Sequence, residues 1–240
     1  PNLPLFFSFF VLVYVTAYFI IFKSWTHKTR PEASSCLISL FHGTPAVVLA
    51  LHAIQHPNHN SFSSPNTNPQ NAALDFSIAY FLTDLLHYLV FYPRDILFIG
   101  HHLATLFVFV TCRYLVSHGA FAILVLLVLA EVTSACQNAW TLAGIRRDDV
   151  ELSRRIHGVL SVPFYALYSV VRGLLGPFFV YQMVRFYMSG EADDVIPRWV
   201  WVSWIAVVVL AISVSVLWVL NLWVEFFRER SANKLEKKLR

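Results

Sequence analysis

Apolar runs of about twenty residues recur from one end of this chain to the other. Seven are separable: Leu5–Phe22, Cys36–Ile54, Ala72–Tyr92, Ile96–Val116, Ala120–Leu142, Val159–Tyr187 and Trp199–Phe227. Each is long enough to cross the hydrocarbon core as a helix. They are too long for membrane β-strands, and they lack the strict alternation that a barrel strand shows. The pattern predicts an all-α membrane protein, a bundle of about seven transmembrane helices. The sixth run carries Gly176-Pro177 in its middle and is expected to break there. Trp199, Trp201, Trp204, Trp218 and Trp223 flank the seventh run as an interfacial aromatic belt would. The first run has no basic stretch ahead of it and no small-residue cleavage site, so it reads as a span rather than a signal peptide.

Composition agrees. Hydrophobic residues make up 57% of the 240 residues and charged residues 13%, against roughly 25% charged in soluble domains. The charge is also unevenly placed. Lys23, Lys28, Arg30, Arg94, Arg146, Arg147, Arg154, Arg155 and the tail from Arg228 to Arg240 hold 14 of the 18 basic residues, all on one side of a seven-span chain. The positive-inside rule then puts the N-terminus outside the cytosol and the tail within it. The chain divides into 1–30, a first span and cytosolic loop; 31–227, the main bundle; and 228–240, a basic cytosolic tail. The ending Lys237-Lys238-Leu239-Arg240 resembles a dilysine retrieval signal, which points to the endoplasmic reticulum. The expected partners are membrane lipids, and a homodimer is compatible with the sequence. Nothing suggests a nucleic acid. Cys36, Cys112 and Cys136 lie in or beside apolar runs and do not read as a disulfide framework.

Ionisable groups inside the spans carry the functional information, because hydrocarbon penalises them unless they face the bundle interior. Tyr80, Asp84 and Tyr88 recur every four residues, with His87 close to the same face. His101 and Thr105 are i, i+4 partners, and His102 is turned about 100° from His101. Glu131, Ser134 and Asn138 form a polar stripe on the fifth span. Tyr165, Tyr168 and Arg172 repeat that spacing on the sixth. Together these faces suggest one internal cavity lined by Asp84, His101 and Glu131 and open mainly to the cytosol. The plainer reading makes Thr105, Ser134 and Asn138 interhelical hydrogen-bonding groups, Tyr165 and Tyr168 packing residues, Arg172 a partner for a carboxylate, and His42 and His52 ordinary buried imidazoles. Asp84, Glu131 and His101-His102 fit that plain reading least well.

The histidines also mimic metal-binding boxes: His52-x-x-x-His56, His56-x-x-His59 and His101-His102. Topology opposes a shared metal, because the first group sits at the far side of the bilayer from the second. No metal and no bound cofactor is expected. A seven-span receptor would fit the orientation, but Asp-Arg-Tyr and Asn-Pro-x-x-Tyr are both missing from their usual places.

Three segments in order, Tyr80-Phe-Leu-Thr-Asp84-Leu-Leu, Phe98-Ile-Gly-His101-His102-Leu-Ala-Thr105 and Ala130-Glu131-Val-Thr-Ser134, resemble the TLC-domain superfamily. That superfamily includes ceramide synthases, translocating-chain-associated proteins and smaller proteins of lipid homeostasis. The stripe from Glu131 through Asn138 to Trp140 is most similar to the small members. The resemblance implies a helical bundle around a cavity in which acyl groups move from acyl-coenzyme A to a lipid amine or lysolipid. It makes His101 the nucleophile or base, His102 its neighbour and Glu131 the first acid; Asp84, singled out by its place inside a span, is the further catalytic candidate. Tyr80, Thr105, Ser134, Asn138, Tyr168 and Arg172 would line the substrate site. Ser134 stands where the synthases place a second aspartate. The alternative that the resemblance carries is a non-enzymatic lipid-binding, sensing or trafficking protein on the same fold.

Overall fold

The computed structural model describes residues 2–55 and 61–239, without the side chains of 229, 230 and 232–239. Among them, seven helices are long and apolar enough to cross a membrane: α1 (Leu3–Ile21), α2 (Thr29–Ile54), α3 (Asn68–Phe91), α4 (Ile96–Val116), α5 (Ala120–Ile145), α6 (Glu151–Met188) and α7 (Arg198–Arg228). The last continues helical to Leu239. The protein is an all-α integral membrane protein, as its apolar pattern predicts.

Six helices close into a ring. α2 packs on α3 and α5, α3 on α4, α4 on α7, α7 on α6 and α6 on α5, while α1 lies outside against α3 and α2. α2 can sit this tightly because most of its buried residues are small, among them Ala33, Ser34, Ser35, Ser39, Gly43, Ala46, Ala50 and Ala53. Small residues let backbones approach where lipid leaves little hydrophobic drive between helices. At Gly43 the approach is closest, since an added Cβ would lie 2.7 Å from Ser134 Cβ and Oγ. Gly43→Val is therefore expected to lower stability by about 1–3 kcal/mol, read as a lower midpoint in thermal unfolding of the purified protein. An unchanged midpoint would mean that α2 and α5 do not meet here.

At the end away from the basic loops, α3 also meets the first half of α5. The interior is filled there by Leu74, Ile78, Ile123 and Leu124, all fully buried. Gly119 turns the chain into α5 at φ 82°, and an added Cβ would sit 3.0 Å from the Phe62 carbonyl oxygen. Both observations require glycine.

Three expectations need correction. α6 does not break at Gly176-Pro177. Pro177 has no N–H for the carbonyl four residues back, and the helix absorbs the loss by widening into a π-turn over Val171–Leu175. α5, expected to be continuous, is interrupted at Val132 and Thr133, between Ala120–Glu131 and Ser134–Ile145. Trp201 and Trp204 are not a belt. They are buried, and their indole N–H groups donate to Asp193 Oδ1 (2.9 Å) and Thr111 Oγ1 (2.8 Å). Trp218 and Trp223 pack against Phe164, Tyr165 and Tyr168, whereas Trp199 is exposed, as a belt residue is.

Candidate functional site

The polar residues of α2 and α3 mesh into a continuous seam. On α3, Ser77, Tyr80 and Asp84 share a face. On α2, Ser35, Ser39 and His42 stand opposite at the same spacing. Ser35 donates to Asp84 Oδ1 at 2.7 Å, and Ser39 shares a 2.7 Å hydrogen bond with the Tyr80 hydroxyl. The His42 ring lies flat on Tyr80, 4.0 Å between centroids and 6° between planes, and its Nε2 is 3.1 Å from Ser77 Oγ.

His102 joins the basic-loop end of this seam. Its Nε2 is 2.8 Å from Asp84 Oδ2 and its Nδ1 donates to the Phe98 carbonyl at 2.7 Å. A carbonyl only accepts, so Nδ1 carries a proton, and one further proton lies on the Nε2–Oδ2 axis. Both ring nitrogens are committed. His102 is therefore a fixed half of a buried pair with Asp84, not a free base.

His101 differs. It is exposed, and neither ring nitrogen bonds to a described residue. Its ring stands edge-on to His102, at 5.6 Å and 89°, and 6.2 Å from Phe81. Phe81 in turn touches His42, 5.8 Å between centroids. His101 thus lies on the Phe81 side of α4 and is exposed there. Thr105, one turn on, is half-buried and its hydroxyl has no hydrogen-bond partner among the described residues. These two groups form the open polar stripe of α4.

Glu131 occupies the middle of the bundle. Its Oε2 is 3.7 Å from Nδ1 of His42, too long for a hydrogen bond, and that fully buried Nδ1 has no other partner. The interruption of α5 follows directly after Glu131. It frees the Ala130 carbonyl, which accepts instead from Nη2 of Arg172 at 2.8 Å. Arg172 also lies 5.4 Å over the Tyr168 ring.

The site residues expected from sequence therefore divide. Asp84, His102 and Tyr80 meet in the seam, with Glu131 at its edge. His101 and Thr105 stand open. Ser134 and Asn138 are engaged with each other, the amide donating to Ser134 O (2.9 Å) and Oγ (3.1 Å), and Gly43 covers Ser134. Tyr168 is buried among Phe164 and Trp218. Arg172 caps a carbonyl rather than pairing with a carboxylate. His87 turns away from Asp84's partners to α1, where the Tyr14 hydroxyl lies 2.7 Å from its Nδ1. Arg113, near the end of α4, forms an ion pair with buried Asp75 at 3.0 Å. Sequence reasoning passed over Ser35, Ser39 and Ser77 and took His42 for an ordinary core imidazole. The signal was there: Ser35, Ser39 and His42 at i, i+4 and i+7 on a buried face made otherwise mostly of small residues. Among the described residues no His, Cys, Asp and Glu group is arranged to hold a metal ion. His56 and His59 lie outside the described residues.

No solved structure matches this chain. A family model described as the TLC domain matches residues 32–224, a range that begins with α2, omits α1 and contains every residue of the seam. The chain is also 62% identical to a TLC domain-containing protein of Arabidopsis thaliana, over 244 residues that cover 100% of this chain and 96% of the relative. A helix ring closed without α1, the seam inside it and these two matches all lead to one statement: the chain belongs to the TLC-domain family of membrane proteins.

Proposed function

We propose that this protein draws an acyl-bearing lipid into the open half of its helix ring and that His101 moves the proton in an acyl transfer there. The co-substrate is acyl-coenzyme A and the acceptor is a lipid amine or lysolipid. The observation that carries this reading is the asymmetry of the histidine pair: His102 is locked between Asp84 and a carbonyl, while the His101 ring beside Phe81 is exposed and makes no hydrogen bond with a described residue. A locked partner holds the backbone of α4 in place, and a free imidazole is the group suited to exchange protons near neutral pH. In the balanced step the acceptor nitrogen or oxygen attacks the thioester carbon and its proton passes to His101. The carbon–sulfur bond breaks, and the imidazolium returns the proton to the departing thiolate, giving the acylated lipid and free coenzyme A. Glu131, at the edge of the same space, adds negative charge that favours the transient imidazolium.

The test uses the purified full chain in lipid nanodiscs with labelled acyl-coenzyme A and a mixture of sphingoid bases and lysophospholipids. A labelled lipid that depends on His101 supports acyl transfer. A second reading, lipid binding without chemistry, is favoured by one specific observation: no carboxylate hydrogen-bonds His101. It predicts bound lipid, no labelled product, and normal lipid binding in His101→Asn.

The basic loops support an orientation with the N-terminus non-cytosolic and the open half of the ring towards the cytosol, where acyl-coenzyme A is found; the endoplasmic reticulum is the organelle we propose. Acceptor sites engineered into residues 61–68 are expected to be glycosylated in microsomes, and sites between Arg146 and Arg155 to stay unmodified. The reverse pattern would overturn the orientation.

A further inference from the structure

A shallow cavity, open to its surroundings, lies outside the ring's polar half at the end away from the basic loops, and it holds about 590 Å³. Its walls are Phe62 from the α2–α3 loop, Phe121 at the start of α5, and Phe179 and Phe186 on α6. Arg185, Gln182 and Glu191 supply its polar groups. α5 and α6 pack closely along Ser134–Ile145 but meet only sparsely from Ala120 to Glu131, so the cavity sits in a cleft that widens towards this end. Arg185 is in the last turn of α6, and Phe121 is the second residue of α5. Both positions are at the ends of spans, which a seven-span bundle brings to the bilayer surface, where lipid head groups are.

The chemistry of the lining is mixed in a particular way. The Arg185 guanidinium makes no ion pair or hydrogen bond with a described residue and rests 5.8 Å from the Tyr181 ring. Gln182 is exposed beside it. Glu191 accepts one hydrogen bond, from Ser189 Oγ at 3.0 Å, and leaves its other oxygen open. A cation, a carboxylate and aromatic walls share one cavity without pairing with each other. A purely anionic head group would meet Glu191 unfavourably, and a purely cationic one would meet Arg185 unfavourably. A head group carrying both charges suits both. Arginine and an amide are strong donors to phosphate, and a carboxylate and an aromatic face attract an ammonium group.

We propose that this cavity binds the head of a zwitterionic phospholipid, with its phosphate on Arg185 and Gln182, its positively charged amine on Glu191 and the Phe186 ring, and one chain in the cleft between α5 and α6. The site does not depend on chemistry at His101.

Native mass spectrometry of the purified full chain, titrated with phosphatidylethanolamine, phosphatidylcholine and phosphatidylglycerol of identical chains, tests it. The wild type is expected to retain both zwitterionic lipids in preference to phosphatidylglycerol. Arg185→Gln should weaken retention of all three about tenfold, the scale of one lost charge-assisted hydrogen-bonding partner. Glu191→Gln should remove the preference and leave phosphatidylglycerol binding intact. Arg185→Lys keeps the charge and should keep most of the binding, which separates loss of the site from loss of the fold. Arg198, at the same end but 3.9 Å from Asp193, is the control, and Arg198→Gln should change nothing. Equal retention of phosphatidylglycerol by the wild type, or equal weakening by Arg198→Gln and Arg185→Gln, would overturn the proposal and leave only a general surface charge effect.

Discussion

Asp84→Ala is expected to cost about 3–5 kcal/mol of stability, the range for breaking a buried ion pair by removing one partner. Asp84 is 3% exposed and serves two donors, Ser35 at 2.7 Å and His102 at 2.8 Å. Its removal strands an imidazole whose other nitrogen is already tied to the Phe98 carbonyl. It also strands a serine hydroxyl facing a hole the size of a carboxylate. The expected reading is a large fall in the thermal midpoint, with loss of a single monodisperse peak in detergent. Replacing both partners together, Asp84→Leu with His102→Leu, should recover much of the loss, since two well-packed apolar groups leave nothing buried and unpaired. A double variant no better than the single one would show that the pair is not the source of the effect.

His101→Ala should do the opposite. It removes a polar ring that bonds to nothing among the described residues and places a strong helix former in α4, so the thermal midpoint should hold or rise. Product formation, however, should fall by about 10²–10⁴-fold, the usual contribution of a positioned acid–base group. His101→Asn keeps a hydrogen-bonding side chain but has no group that cycles a proton near neutral pH, and it should lose as much. The contrast between positions 84 and 101 separates a group that holds the bundle together from one that acts on a ligand. A variant at 101 that unfolds would move His101 into the first class, and one that keeps full activity would remove it from the second.

The fold was legible because its signal is the length and number of apolar runs, which lipid imposes on any spanning helix. The ring and the seam were less legible, for physical reasons that differ from residue to residue. Asp84 and His102 stand out in sequence, since an ionisable group in a span needs a partner, but nothing in the spacing says that they partner each other and that His101 is left free. The 100° offset between adjacent helical positions predicts only that the two rings diverge. Ser35 and Ser39 were missed because a serine in a span normally satisfies itself on a nearby carbonyl, as Ser39 does on Ser35 O at 2.9 Å. Their second role appears only when α3 is brought alongside. Glu131, Ser134 and Asn138 keep a common stripe, with Glu131 and Ser134 both against Gly43 of α2 and Asn138 bonded to Ser134, but nothing in their spacing reveals the break at Val132 and Thr133. The helix is interrupted there, and Arg172 from α6 takes the carbonyl that the interruption frees.

The account rests on His101 being the open imidazole beside the seam and lying where the lipid substrate binds. The most direct measurement is residue-resolved carbethoxylation of the purified protein in nanodiscs, followed by peptide mass spectrometry, with and without acyl-coenzyme A. The account predicts rapid modification of His101, slow modification of His102 and His42, and protection of His101 alone among the three by acyl-coenzyme A. Equal reactivity of His101 and His102, or rapid modification of His101 that acyl-coenzyme A leaves unchanged, would contradict it.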